Sequence, residues 1–189
     1  MQIEPTALDG VLMLTPRVFA DARGSFTETY NRRALAEAGI TLDFVQDNQS
    51  LSRRAGTIRG LHYQAPPHAQ DKLVRVLQGS VRDVVVDVRR GSPAFGRWVA
   101  VELSAENGRQ LLVPKGFLHG FVTLEPDTMV LYKTSDHYAP ECDGAVHFAD
   151  PVLGIDWGIP PENAVLSERD AAAARFADWQ SPFTMEMAP

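Results

Sequence analysis

The chain has a single cysteine, Cys142, in 189 residues. That excludes an internal disulfide framework and fits a reducing compartment. No apolar run approaches the roughly 20 residues a helix needs to cross a bilayer, and Met1-Gln2-Ile3-Glu4-Pro5 lacks the basic and apolar regions of a secretory leader. A basic excess is missing too. The formal charge is −6, so the surface as a whole cannot displace phosphate counterions, and a general nucleic-acid binder is excluded. A local basic pocket made by Arg23, Arg59 and Lys72 remains open. No His-x-His pair occurs, which removes the usual centre of a metal-dependent β-barrel oxygenase. Fixed-period repeats, low-complexity tracts and linker segments are absent as well. What is present is an ordinary globular composition, 44% hydrophobic and 22% charged, long enough to bury a core without staples. The expected setting is cytoplasmic, with neither membrane nor nucleic acid as partner.

The pattern along the chain is mainly β. Val11–Leu14, Pro16–Phe19 and Ser25–Tyr30 read as short strands, with a turn at Asp21-Ala22-Arg23-Gly24. Asn31 caps a short helix over Arg32–Ala38 that Gly39 stops. Strands follow at Asp43–Ser50, Thr57–Gln64, Lys72–Leu77, Val81–Val88, Trp98–Leu103, Gln110–Val113, Gly116–Val122 and Thr128–Thr134. Short strands so spaced predict a sandwich or barrel and not a βαβ sheet. Beyond Pro151 the texture turns irregular, and Ser167 caps a predicted helix that runs into the alanines. One domain is expected over 1–189, with a β core at about 10–150 and an irregular or helical segment at about 151–189.

The densest chemistry lies in Arg59-Gly60-Leu61-His62-Tyr63-Gln64 and the following Asp71-Lys72-Leu73-Val74. A neutral imidazole and fixed cations suit a site that holds an anion and removes a carbon-bound proton. Strict alternation puts Arg59 and His62 on opposite faces. They share a face only if the strand bulges, and Gly60 is the easiest place. Each residue also has a plain structural reading. His62 and His119 fit as hydrogen-bonded core histidines, Tyr132 as a strand residue with its hydroxyl at a rim, and Asp170 as support for a helix's first turn. Arg23 reads as a solvated turn residue and Lys72–Asp71 as an inert surface pair. Asp83 and Asp87 are read as structural.

Several motifs recur together in a fixed order: Asp21-x-Arg23-Gly24-x-Phe26-x-Glu28, Gln46-Asp47-Asn48-x-Ser50, Arg59-Gly60-Leu61-His62-Tyr63-Gln64, Lys72-Leu73-Val74, Pro114-x-Gly116-Phe117-x-His119-Gly120-Phe121 and Tyr132-Lys133. In these the chain resembles the dTDP-4-dehydrorhamnose 3,5-epimerases, from about residue 10 to about residue 170. The resemblance implies a jelly-roll (cupin-like) fold and no metal or organic cofactor. It implies a homodimer with exchanged strands and a dTDP-linked 4-keto-6-deoxyhexose as substrate. It makes His62 the base, Asp170 its partner, Tyr132 the acid on the opposite face, and Lys72 the cation near O4. Arg23, Phe26, Glu28, Gln46, Asp47, Asn48, Arg59 and His119 fall on substrate-binding positions, with the arginines at the diphosphate and Tyr138 beside the base. Asp143 and Arg169 fall there too, although the family usually has Glu and Lys in their places.

The implied reaction fits these residue types. A 4-keto group acidifies the protons at C3 and C5. A carboxylate-backed imidazole can take them, a cation stabilises the developing oxyanion, and inversion needs a second group to return the proton from the other side. An epimerase acting at one carbon only, a metal-dependent cupin oxygenase and a non-enzymatic sugar-binding module are the competing readings. The absence of His-x-His argues against the oxygenase, and the joint presence of His62, Asp170 and Tyr132 argues against mere binding.

Overall fold

The structure, a computed structural model, describes residues 1–185; residues 186–189, the end of the segment expected to be irregular or helical, lie outside the described residues. The strands in chain order are β1 (Gln2–Pro5), β2 (Leu12–Thr15), β3 (Val18–Asp21), β4 (Gly24–Thr27), β5 (Gln46–Ser52), β6 (Ile58–Gln64), β7 (Lys72–Gln78), β8 (Ser80–Asp87), β9 (Trp98–Ser104), β10 (Gln110–Val113), β11 (Phe117–Thr123), β12 (Thr128–Thr134) and β13 (Asp143–Ala145). The helices α1 (Arg32–Glu37) and α2 (Glu168–Ala171) are short. A six-stranded sheet runs β1-β2-β10-β7-β12-β5, a five-stranded sheet runs β13-β6-β11-β8-β9, and β3 with β4 forms a separate hairpin. Strand pairing within these sheets is antiparallel throughout. This is the expected mainly-β jelly roll.

Alternation decides what each face buries. Val74, Val76 and Val130 of the six-stranded sheet meet Val81, Val85, Phe117 and Phe121 of the other in the central layer. The outer face of the five-stranded sheet (Ile58, Leu61, Val84, Val86, Leu118, Val122) is covered by Val146, Phe148, Leu153, Trp157 and Phe183 of the C-terminal segment. β8 is therefore buried on both sides, which is why its valines run almost without a break. Each such side chain contributes about 1.5–3 kcal/mol. On the far side, Leu35 of α1 and Ile40 cover Leu14, Leu73 and Leu112. The helix starts as its sequence predicts, with the Asn31 side chain accepting from the N–H groups of Arg33 and Ala34.

The short helix expected after Ser167 forms with that cap and stops at Ala171. Beyond it Ala174 forms a parallel bridge with Val146, accepting from the His147 N–H at 2.9 Å. One expectation changes: Asp71 is no surface partner of Lys72. It is buried, and its carboxylate accepts from the Ser135 hydroxyl at 2.7 Å and the Lys115 N–H at 3.1 Å, locking the start of β7.

The feature that positions the site is a bulge. On β11, His119 pairs with His62 and Phe121 with Arg59, so β6 carries one extra residue there. Ile58 and Leu61 thereby stay in the outer core while Arg59 and His62 both face inward. Gly60 has φ +135°, and a Cβ on it would lie 2.5 Å from Gly120 Cα and 2.9 Å from the His119 carbonyl oxygen. No side chain fits. Gly60→Ala is expected to cost about 3 kcal/mol, lowering Tm by about 6–12 °C for a chain of this size. Gly108→Ala, at a positive φ with open space around it, should cost only about 1 kcal/mol; equal losses in thermal unfolding would contradict the role given to the bulge.

Candidate active site

Between the two sheets lies a cavity of about 510 Å³, within the range of small-molecule sites. His62 and Arg59 of β6 and His119 of β11 line it from the five-stranded sheet, and Tyr132 of β12 and Lys72 of β7 from the six-stranded sheet. The imidazole and the phenol thus stand on facing walls of one space.

His62 Nε2 is 2.6 Å from Asp170 Oδ1. Burial works to raise the Asp170 pKa, but the bonds from His62, from Ser167 and from the Gly60 N–H outweigh it and hold the carboxyl below its ordinary value. An ionised carboxylate only accepts, so Nε2 carries the proton and Nδ1 keeps the lone pair a base requires. The bulge that turns His62 inward also supplies the Gly60 N–H to its partner. α2 brings Asp170 to this point, with Ser167 Oγ accepting from the Asp170 N–H at 3.1 Å.

On the opposite wall, burial raises the Tyr132 pKa and Asp143 adds to the rise, while Arg59 opposes it. The phenol stays protonated and available as a donor. Lys72 keeps some exposed surface, but that surface lines the cavity. Burial pulls its ammonium down to about 8 against the upward pull of Asp143 and Asp83. Among the described residues neither Lys72 nor Arg59 has a carboxylate partner. Arg59 donates from Nε to Ser52 Oγ at 3.2 Å and from Nη2 to the Leu51 carbonyl oxygen at 3.3 Å. His119 Nε2 lies 2.9 Å from Asp83, and Arg169 forms an ion pair with Asp143 at 2.7 Å. Arg59 and Lys72 are thus two cations of the cavity wall with no salt-bridge partner among the described residues, an arrangement that suits an anionic ligand.

The remaining sequence-predicted residues divide. Tyr138, Asp143 and Arg169 line the same cavity. Asn48 is the register partner of Tyr132, and Gln46 bonds to Asn48 at 2.8 Å and accepts from the Tyr138 N–H at 3.1 Å. Asp47 does not face this space. Alternation turns it to the outer side of the sheet, where Lys133 Nζ donates to it at 2.9 Å. Arg23 and Phe26 are also elsewhere, lining a second cavity on the projecting β3–β4 hairpin. Glu28 accepts from Asn31 Nδ2 at 3.0 Å. A single copy of the chain does not bring these three to His62.

Pattern reading missed Gln64 and Ser50. Asp83, read as structural, is buried on the inner face of β8 and hydrogen-bonded to His119. Gln64 is buried and ties the rim together, donating to the carbonyl oxygens of His68 and His137 and accepting from the Ala139 N–H. Ser50 Oγ lines the cavity, buried and without a partner among the described residues. Among those residues no three His, Cys, Asp or Glu side chains converge as a metal-holding set.

A jelly roll whose cavity sets a carboxylate-backed imidazole against a phenol, with cations alongside, defines an acid–base enzyme acting on an anionic small molecule. Comparison with known proteins gives the particular family. The dTDP-4-dehydrorhamnose 3,5-epimerase family model matches residues 5–178. The chain is 52% identical over 179 residues to the dTDP-4-dehydrorhamnose 3,5-epimerase of Pseudomonas aeruginosa, covering 94% of this chain and 97% of that one. It superposes with TM-score 0.89 at 47% identity on the Bacillus anthracis epimerase, solved with TDP and PPi bound, covering 93% of this chain and 99% of that one. The Legionella pneumophila enzyme in complex with dTDP-4-keto-L-rhamnose matches with TM-score 0.89 at 46% identity, over 94% of this chain and 93% of that one. The chain belongs to the dTDP-4-dehydrorhamnose 3,5-epimerase family.

The Lys72 ammonium makes a pH prediction. In kcat/KM, which reports ionisations of the free enzyme, activity should fall above about pH 8 as the cation is lost. Between that value and its unfolded pKa the unfolded chain binds the extra proton, so Lys72 makes the fold more stable as pH rises. An alkaline loss caused by Lys72 should therefore appear while the protein is still folded, as checked by circular dichroism at each pH. A pH–rate profile flat to about pH 10, the range of an unperturbed lysine, would contradict this account of Lys72.

Proposed function

We propose that this chain epimerises dTDP-4-dehydro-6-deoxy-glucose at C3 and C5, giving dTDP-4-dehydro-L-rhamnose. The observation that carries the reading is the facing pair, His62 with Asp170 on one wall and Tyr132 on the other. His62 Nδ1 removes the proton beside the C4 carbonyl. The enolate oxygen takes its stabilisation from Lys72, a contribution of about 3 kcal/mol for a group aimed at developing charge. Tyr132 returns a proton from the opposite face, which inverts the centre. Arg59 holds the diphosphate, whose binding energy positions the reacting carbons from a distance. Ser50 Oγ is compatible with the same reading, since it lines the cavity with no partner among the described residues and is free to bond a ligand. Gln46, Asn48, His119 and Tyr138 complete the sugar and nucleotide contacts.

The working unit in this proposal is a cytoplasmic homodimer of single-domain subunits that exchange strands. Two observations support it. The β3–β4 hairpin exposes Val18, Phe19 and Phe26, the last at 69%, and an apolar projection of this kind suits burial against another chain. It also carries Arg23, which one copy leaves far from His62. In the dimer the partner's hairpin would deliver these residues to the cavity, reconciling them with the substrate-binding positions they match.

The test is NMR of dTDP-4-dehydro-6-deoxy-glucose incubated with the protein in D₂O, expected to show label at both C3 and C5. Label at one carbon only would favour a single-centre epimerase. His62→Ala should lower exchange at both carbons by at least about 100-fold with the nucleotide still bound. Tyr132→Phe should permit proton abstraction while blocking inversion. Exchange by His62→Ala at the wild-type rate would remove it as the base.

A further inference from the structure

The helix that carries Asp170 spans only Glu168–Ala171, too short to hold its own position. Its placement is set by ties to the five-stranded sheet. On the inner side Asp170 meets His62 and the Gly60 N–H. On the open side Arg169 Nη1 lies 2.7 Å from Asp143 Oδ2 on β13. The Tyr138 hydroxyl donates to the same oxygen at 3.0 Å. β13 in turn pairs with β6, Ala145 opposite His62 and Asp143 opposite Gln64. A closed loop results: His62 to Asp170, along α2 to Arg169, across to Asp143, and through β13 and β6 back to His62.

We infer that Arg169 and Asp143 form a latch that positions the His62–Asp170 dyad, with the Tyr138 hydroxyl steadying the Asp143 carboxylate. The inference rests on the proposed epimerase reading for its activity readout but not for its geometry. Paired with each other, the two residues present little net charge to a diphosphate, whereas Arg59 and Lys72 present theirs in full. An exposed ion pair is usually of small consequence. This one differs in that the Asp143 side chain is only 16% exposed, and in that a break releases a tie between α2 and β13. It would also leave the Asp143 carboxylate unmatched beside Tyr132 and Lys72, both of which already sense it.

Four variants test this: Arg169→Met, Arg169→Lys, Asp143→Asn, and Arg169→Met with Asp143→Asn. The readouts are kcat and KM for proton exchange, and the downfield proton resonance of the short His62–Asp170 hydrogen bond in the ligand-free protein. Arg169→Met should lose about tenfold in kcat with KM changed less than about threefold, and its downfield resonance should shift or broaden. Arg169→Lys should keep kcat within about threefold of wild type, and the double variant should be no worse than Arg169→Met, because both substitutions break one device. An Arg169→Met kcat within about twofold of wild type, a loss confined to KM, or an unchanged resonance would each overturn the latch. If Arg169→Met does not fold, Asp143→Asn carries the same comparison. If the wild-type protein shows no exchange, the epimerase reading fails, and the resonance still decides the latch.

Discussion

One extra residue in β6 sets the chemistry of this protein. A regular strand pairing across Arg59–His62 would send one of those side chains into the outer core among Val146, Phe148 and Trp157, where neither a guanidinium nor an ionisable imidazole belongs. The bulge keeps the outer core apolar and turns both side chains inward. It also leaves the Gly60 N–H close enough to the Asp170 carboxylate to help lower its pKa. The physical condition for it is the near contact of two backbones at Gly60 and Gly120, which tolerates no Cβ on either strand.

Around that point the polar side chains divide in two. His62 is hydrogen-bonded to Asp170 and His119 to Asp83, and Arg169 forms an ion pair with Asp143. Arg59 and Lys72 have no carboxylate partner among the described residues. Burial lowers the Lys72 pKa, and an arriving dianion would restore its ammonium, so in the proposed reaction binding and stabilisation of the enolate would reinforce each other. Burial acts on Tyr132 in the other direction and keeps its proton in place. One low-dielectric cavity thereby prepares a cation and an acid together.

What could be read from residues alone was local or periodic. α1 was legible because Asn31 and Gly39 mark its ends, and β8 because valines on both faces need apolar cover. The conditional bulge at Gly60 was legible as a requirement, since period two and a shared face for Arg59 and His62 cannot otherwise coexist. The His62–Asp170 bond joins positions 108 apart, and no pattern within either segment announces it; the family motifs supplied it. Asp71 was misjudged for a related reason. A carboxylate in a strand looks the same whether its partner is water, a backbone N–H or a histidine across the sheet, and only the packing distinguishes them. The polar edge strand β1 and the three-residue β13 were too short to give a periodic signal. The short helix after Ser167 was legible from its cap, and it ends within the alanine run because helix propensity is a weak preference beside a bridge to Val146.

The central claim is that the substrate's hexose lies between His62 and Tyr132. A crystal structure of the protein with a dTDP-linked 6-deoxyhexose tests it most directly. The account predicts His62 Nδ1 within about 3.5 Å of C3 or C5 on one face of the ring, and the Tyr132 hydroxyl at a similar distance on the other. A sugar bound with both side chains on the same face, or outside the space between the two sheets, would contradict it.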